Sequence, residues 1–172
     1  MIKTTTFFLI ALLVFSACED LKNSDAILQV AVGETFLRTE NPTAVLHTDG
    51  SLTISGSSQG QTLTLRINSQ DTGVYYFGID STNVAHYKIE QEEQTALEYS
   101  TIKGVENQEF EPYLGQLNIY PVTHIKASKN PKTISGEFRF RGKILDENDS
   151  ISDPSVFFHQ GFFYNLSIQN QE

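Results

Sequence analysis

Tryptophan is absent from this sequence, and cysteine occurs once, at position 18. A lone cysteine excludes a disulfide framework and any cysteine-rich zinc site. Basic residues are scarce: 12 Lys and Arg stand against 21 Asp and Glu, a formal charge of −9 with an isoelectric point near 4.8. Phosphate contacts need clustered Lys and Arg, so this balance argues against nucleic acid as a partner. It argues equally against docking on anionic lipid through a basic face. A phosphate loop, a dinucleotide fingerprint and a His-Glu-x-x-His helix are missing. No segment repeats at a fixed period, which sets aside propellers and solenoids.

What is present begins with an address. Lys3 precedes the apolar run Phe7–Phe15, and the small residues Ser16 and Ala17 lead to Cys18. Nine apolar residues are too few to span a bilayer, which takes about 20 as a helix. The length suits a secretory signal peptide. Ser16-Ala17-Cys18 resembles a bacterial lipobox, in which the cysteine is lipidated and becomes the new N-terminus. The resemblance implies a signal peptide over residues 1–17 and lipid attachment at Cys18, whose thiol is the nucleophile that the acyl-glycerol transfer requires. Residues 18–25 then hold the lipidated cysteine and a polar tether. Fully extended, the seven residues after Cys18 reach at most roughly 25 Å, so the domain sits close to its membrane.

From Ala26 onward apolar and polar residues alternate with period two, interrupted by Gly, Asn, Asp and Ser. That is the pattern of half-buried strands joined by tight turns. Ile27–Val32 and Thr35–Thr39 read as a hairpin across Gly33-Glu34, and Asp49-Gly50 as a turn between Ala44–Thr48 and Leu52–Ser55. Leu63, Leu65 and Ile67 share one face of a strand. Ile134, Gly136, Phe138 and Phe140 share another, opposite Glu137, Arg139 and Arg141. Phe162, Tyr164, Leu166 and Ile168 alternate near the C-terminus. Gln91–Leu97 is compatible with one helical turn, whereas Ala96–Ser100 is equally compatible with a strand. With no amphipathic helix of ten or more residues, residues 26–172 are expected to form a single all-β domain. About nine or ten short strands would make an antiparallel β-sandwich or a closed or partly open β-barrel.

Several phrases, in order along the chain, resemble an uncharacterised lipoprotein family of the Bacteroidota, domain of unknown function 6252. They are Val30–Phe36, Leu52–Gly56, Gly73–Tyr75, Ala85–Tyr87, Gly115–Ile119, Ile134–Phe138 and Gly161–Leu166. The resemblance implies fold and location and carries no established activity. Glu19-Asp20 after the lipidated cysteine partly resembles the surface-export signal of such lipoproteins. The expected location is therefore the cell envelope, at the outer membrane, facing either the surface or the periplasm. Asp80-Ser81-Thr82 and Asp149-Ser150-Ile151 are similar to sites at which Bacteroidota O-glycosylate exported proteins, which makes Ser81 and Ser150 candidates for modification.

Candidates for chemistry are few. His47, His86, His124 and His159 are each isolated among strand residues, and read as surface or satisfied interior side chains. Asp146, Asn148, Asp149 and Asp153 form the densest run of oxygen ligands, the kind calcium favours. The run lacks the turn glycine and terminal glutamate of an EF-hand, so it reads as an acidic strand connection, and no metal or cofactor is expected. Seven Tyr and twelve Phe read as core packing, or as a platform for carbohydrate or lipid; the lack of Trp speaks against sugar stacking. The leading expectation is a membrane-anchored, non-enzymatic envelope lipoprotein with a binding or accessory role, its partner a protein or a glycan. A carrier of an apolar ligand would line a cavity with Phe138, Phe140, Phe162 and Tyr164. A glycan hydrolase would need two carboxylates, or a histidine and a carboxylate, converging in a cleft from strand-end residues such as Asp80, Glu90, Glu92 or His159.

Overall fold

The computed structural model describes residues 25–78, 82–91, 94–101, 114–120, 133–145 and 151–171. Among these residues there are eleven strands and no helix. They are β1 (Ile27–Val32), β2 (Thr35–Arg38), β3 (Glu40–Leu46), β4 (Leu52–Ser58), β5 (Gln61–Ile67), β6 (Gly73–Phe77), β7 (Val84–Gln91), β8 (Gln94–Ser100), β9 (Gly115–Ile119), β10 (Thr133–Leu145) and β11 (Ile151–Asn170). The count is one or two above the expected number. The segment left open between helix and strand is strand: β8 pairs antiparallel with β7 from Gln91↔Gln94 to His86↔Ser100.

All eleven belong to one sheet, ordered β2-β1-β11-β3-β4-β5-β7-β8-β10-β9-β6, with β11 also paired to β10. The path β11-β3-β4-β5-β7-β8-β10 therefore returns to β11 and makes the sheet ring-like, in keeping with an all-β sandwich or barrel. Two short wings leave this ring, β1–β2 from β11 and β9–β6 from β10. The antiparallel expectation holds for every pairing but one. The end of β11 runs parallel to β3, Ile168 to Asn170 beside Ala44 to Leu46.

Period two decides which side chains go inside. β5 buries Leu63, Leu65 and Ile67, and β10 buries Ile134, Gly136, Phe138 and Phe140 while Glu137, Arg139 and Arg141 face outward. In β11 the simple alternation fails. Gln160 and Asn165 have positive φ, 52° and 54°, and each coincides with an extra residue on β11 relative to β10. A bulge moves every following side chain to the other face. Phe158, Phe163 and Leu166 consequently lie inside, and Phe162 and Tyr164 lie outside.

Turn chemistry fixes the hairpins. Gly33 (φ 57°) sits in the β1–β2 turn and Gly50 (φ 83°) in the β3–β4 turn, as Gly33-Glu34 and Asp49-Gly50 imply. Between Ser58 and its partner Gln61, Gln59 (φ 50°) and Gly60 (φ 75°) form a two-residue turn with both φ positive. Glutamine is a poor occupant of left-handed backbone and asparagine a good one. Gln59→Asn is expected to raise stability by about 1 kcal/mol, read as an increase in the midpoint of thermal unfolding; a decrease would show that Gln59 makes contacts worth more than its backbone strain.

The core is aromatic at its centre. Phe140 and Phe158 stack with ring centroids 4.1 Å apart and planes 9° from parallel. Phe77 meets Phe140 edge-on at 6.0 Å, and Tyr87 meets Phe158 edge-on at 5.0 Å. Such pairs add about 0.5–1.5 kcal/mol each beyond area burial. The Tyr87 hydroxyl donates to Gln61 Oε1 at 2.5 Å, and burial, followed by the neighbouring Tyr99, pushes the Tyr87 pKa up. Polar groups that enter the interior are satisfied: the Ala85 amide donates to Thr101 Oγ1 at 2.8 Å, and the Thr101 amide returns a bond to the Ala85 carbonyl at 3.0 Å.

Candidate functional site: an exposed aromatic sheet face

With the core on the inner side, the sheet presents two different outer surfaces. Across β3-β4-β5-β7-β8 the paired outward residues are small and polar. One row reads Thr43, Ser55, Thr64, His86 and another Ser57, Thr62, Lys88, Glu98. Thr43 and Ser55 share a hydroxyl hydrogen bond of 3.1 Å, and His86 Nε2 lies 3.3 Å from Glu98 Oε2. This is the ordinary composition of a solvated sheet face.

The other surface, across β2-β1-β11-β10-β9-β6, departs from that composition. Its longest row runs over six strands as Arg38, Gln29, Phe162, Glu137, Asn118, Val74. At about 4.8 Å per strand spacing this row spans about 24 Å. A second row carries Arg139, Gln116 and Tyr76. Beside them Ala31 lies between Phe36 and His159, Arg141 opposes Phe157, and Ile27 opposes Tyr164. Tyr120 follows β9 and is held by Glu137; partial burial and the carboxylate both push the tyrosine pKa up. The large apolar or aromatic side chains most exposed among the described residues are Phe36, Val74, Tyr76, Tyr120, Phe157, Phe162 and Tyr164. All seven belong to this one surface, with Phe36 at 58% exposure and Phe157 at 48%. Single exposed hydrophobic residues are normal; here seven share one face, spaced by polar and charged side chains along its rows, and that confinement to one face makes it the candidate interaction surface.

The charge of the surface also departs from that of the chain. Its strands turn outward Arg38, Arg139, Arg141 and Lys143, against Glu137 and, in the β1–β2 turn, the exposed Glu34 among the described side chains. The polar surface carries Arg66 and Lys88 against Glu40, Glu90 and Glu98. A chain of net charge −9 thus has a basic patch among its aromatics.

A second cluster surrounds the β3–β4 turn. Asp49 accepts from the Ser51 amide at 2.9 Å, the Ser51 hydroxyl at 2.6 Å and Arg66 at 2.9 Å. The Ser51 hydroxyl bond, before the other contributions, lowers the Asp49 pKa. His47 bonds Gln171 through Nδ1 and Thr53 through Nε2, the latter at 2.7 Å. The Ser51 proton is directed at a carboxylate and His47 is engaged elsewhere, so the group clamps a turn and does not activate a nucleophile. Gly56-Ser57-Ser58-Gln59-Gly60 has the spacing of a hydrolase nucleophile elbow, which requires a strand-to-helix turn. Here it closes the β4–β5 hairpin.

The residues singled out from sequence fall as follows. Cys18, Asp80, Ser81, Glu92, His124, Asp146, Asn148, Asp149 and Ser150 lie outside the described residues. Asp153 lies in the first part of β11, where two residues of that strand have no partner between Lys143↔Ser155 and Ile144↔Ser152. Among the described residues no three His, Cys, Asp or Glu side chains form a metal-holding group. Glu90 is on β7 and His159 on β11, strands that are not neighbours in the sheet, so the two do not converge. The four aromatics assigned to a carrier cavity divide between two sides: Phe138 and Phe140 pack in the core, and Phe162 and Tyr164 face out. The bulges at Gln160 and Asn165 are the physical reason.

No curated protein and no solved structure matches the chain. One protein-family profile matches residues 24–167, a span that contains all of β1 through β10 and most of β11. The chain therefore belongs to the family described as Domain of unknown function (DUF6252).

Proposed function

We propose that the protein is a non-enzymatic lipoprotein of the bacterial cell envelope, carried at the outer membrane by an acylated Cys18, that works by binding through the outer surface of β2-β1-β11-β10-β9-β6. The observation that carries the binding role is the one-sidedness of that surface: seven exposed apolar or aromatic side chains lie on it, against a second surface of serine, threonine and charged residues. Supporting the anchor are the signal peptide pattern of residues 1–17, the Ser16-Ala17-Cys18 sequence and the Bacteroidota lipoprotein resemblance. The two clusters of polar side chains hold turns and strand pairs and leave no activated nucleophile among the described residues.

Thiol labelling in cells tests the reading. Acylation consumes Cys18, the chain's one cysteine, so an introduced cysteine becomes the sole free thiol. Gln116→Cys on the aromatic surface is expected to react with maleimide several-fold more slowly in intact envelopes than in purified protein. Thr64→Cys, on the polar surface and similarly half-buried, is expected to react equally in both. Equal rates for both variants in both settings would remove the binding surface. Incorporated radioactive palmitate that persists after Cys18→Ala would remove the anchor.

A further inference from the structure

The aromatic surface and the tether meet at one place. Residues 19–25 connect Cys18 to the start of β1, and β1 is part of that surface, with Ile27 paired to the exposed Tyr164. Seven residues reach at most roughly 25 Å. An acyl chain on Cys18 therefore holds the start of β1, where this face begins, within a short distance of the bilayer. The face lies on the outside of a ring-like sheet, with its core behind it. Small ligands are bound in concavities that enclose most of their surface, which the outside of a closed sheet does not offer. An extended partner suits it better, and the chemistry of the face favours a lipid surface. Tyr120, Tyr164 and Tyr76 join an apolar ring to a polar hydroxyl, the combination enriched at membrane–water interfaces. Phe36, Phe157 and Phe162 add apolar rings exposed by 58%, 48% and 37%. Arginines on the same strands supply positive charge to a protein that is otherwise acidic.

Resting on the anchored reading above, we propose that the β2-β1-β11-β10-β9-β6 face docks on the anionic lipid surface of the membrane that holds the acyl chain. The domain lies face-down, its aromatics at headgroup depth and Arg38 and Arg139 against lipid phosphates. The polar β3-β4-β5-β7-β8 face points away from the bilayer. The composition of the whole chain argues against such docking, but it averages over surfaces, and among the described side chains of this face Arg38, Arg139, Arg141 and Lys143 outnumber Glu34 and Glu137.

The test uses acylated full-length protein reconstituted into vesicles of phosphatidylcholine with 30% phosphatidylglycerol, or of phosphatidylcholine alone. A polarity-sensitive fluorophore is placed on Gln116→Cys or on Thr64→Cys, and spin-labelled lipid serves as quencher. Strong quenching is expected at position 116 in the anionic vesicles and little at position 64. Each basic residue near an anionic surface is worth about fivefold in binding, so Arg38→Glu with Arg139→Glu is expected to reduce the face-down population by at least about tenfold. Phe162→Ser with Tyr164→Ser, both exposed and so compatible with folding, is expected to reduce quenching as well. Equal quenching at 116 and 64 in protein that floats with the vesicles would overturn the docking and leave the anchor standing. A face protected from maleimide in cells yet unquenched on vesicles would assign the face to a protein or glycan. Protein that fails to float would overturn the anchor and the docking together.

Discussion

Phe140→Ala is expected to lower the stability of the protein by about 3–5 kcal/mol, the range for truncating a fully buried phenylalanine. Phe140 is wholly buried, stacks on Phe158 at 4.1 Å and meets Phe77 and Phe138 at 6.0 and 6.4 Å. The truncation therefore removes the ring that joins β10 to both β11 and β6. The neighbouring rings come from β6, β11 and β10 itself, so the cavity has no single strand able to collapse into it. For a domain of this size each kcal/mol moves the unfolding midpoint by about 2–4 °C, so a drop of roughly 10 °C or more is expected in a thermal scan. Phe162→Ala provides the contrast. It lies on the same pair of strands but faces outward, and surface changes fall within about 0.5 kcal/mol. A comparable loss for both would mean that Phe162 is packed in the way Phe140 is.

Much of the fold was legible in the sequence because strand burial has a period of two and the tight turns carry their own residues. β5, β7, β9 and β10 bury the side chains that alternation selects, and Gly33 and Gly50 occupy the backbone conformations their turns demand. The aromatic surface was not legible, and β11 shows why. Phe157, Phe158, Phe162, Phe163 and Tyr164 form a pattern in which alternation alone assigns Phe162 and Tyr164 to the inside with Leu166. Left-handed backbone at Gln160 and Asn165 shifts the phase twice, and neither residue type announces a bulge as a glycine would. Strand order was hidden for a different reason. β11 pairs with β1, β3 and β10, contacts that span most of the chain and leave no local pattern. Without that order, Phe36, Tyr76 and Phe162 cannot be recognised as neighbours on one surface. The basic patch was masked in the same way, since Arg38, Arg139 and Arg141 are brought to one face only when β2 and β10 lie on either side of β1 and β11. The signals that remained visible, the lipobox-like Ser16-Ala17-Cys18 and the order of family phrases, bear on an expected location and on kinship.

Gly136→Ala is expected to be nearly as damaging as the core truncation, through crowding in place of a cavity. A Cβ built at Gly136 would stand 2.1 Å from the Asn118 carbonyl oxygen and 2.5 Å from Phe163 Cζ. Atoms do not approach so closely, and the first obstacle is the backbone of the paired strand, which has no rotamer to change. The β9–β10 pair must therefore separate locally, at a cost of about 3 kcal/mol or somewhat more, the upper part of the range for overpacking. A second change identifies the obstacle. Phe163→Leu shortens the ring that faces Gly136 and leaves the Asn118 carbonyl where it is, so the double variant is expected to show no net rescue beyond a minor part of the loss. Full rescue would show that the ring, rather than the strand backbone, sets the limit. Gly50→Asn gives the comparison, because a Cβ at Gly50 meets nothing within 4 Å and asparagine accepts its φ of 83°. The site explains why this close approach matters beyond stability. Gly136 precedes Glu137, and Asn118 is the residue paired with Glu137 in the longest row of the outer face. Moving β9 away from β10 would shift Asn118, Gln116 and the β6 residues Val74 and Tyr76 relative to Arg139 and Phe162. A small residue on the inner side of the sheet thereby keeps the outer surface continuous. Gly136→Ala protein that stays folded at low temperature should accordingly lose the maleimide protection of Gln116→Cys, whereas Gly50→Asn should retain it.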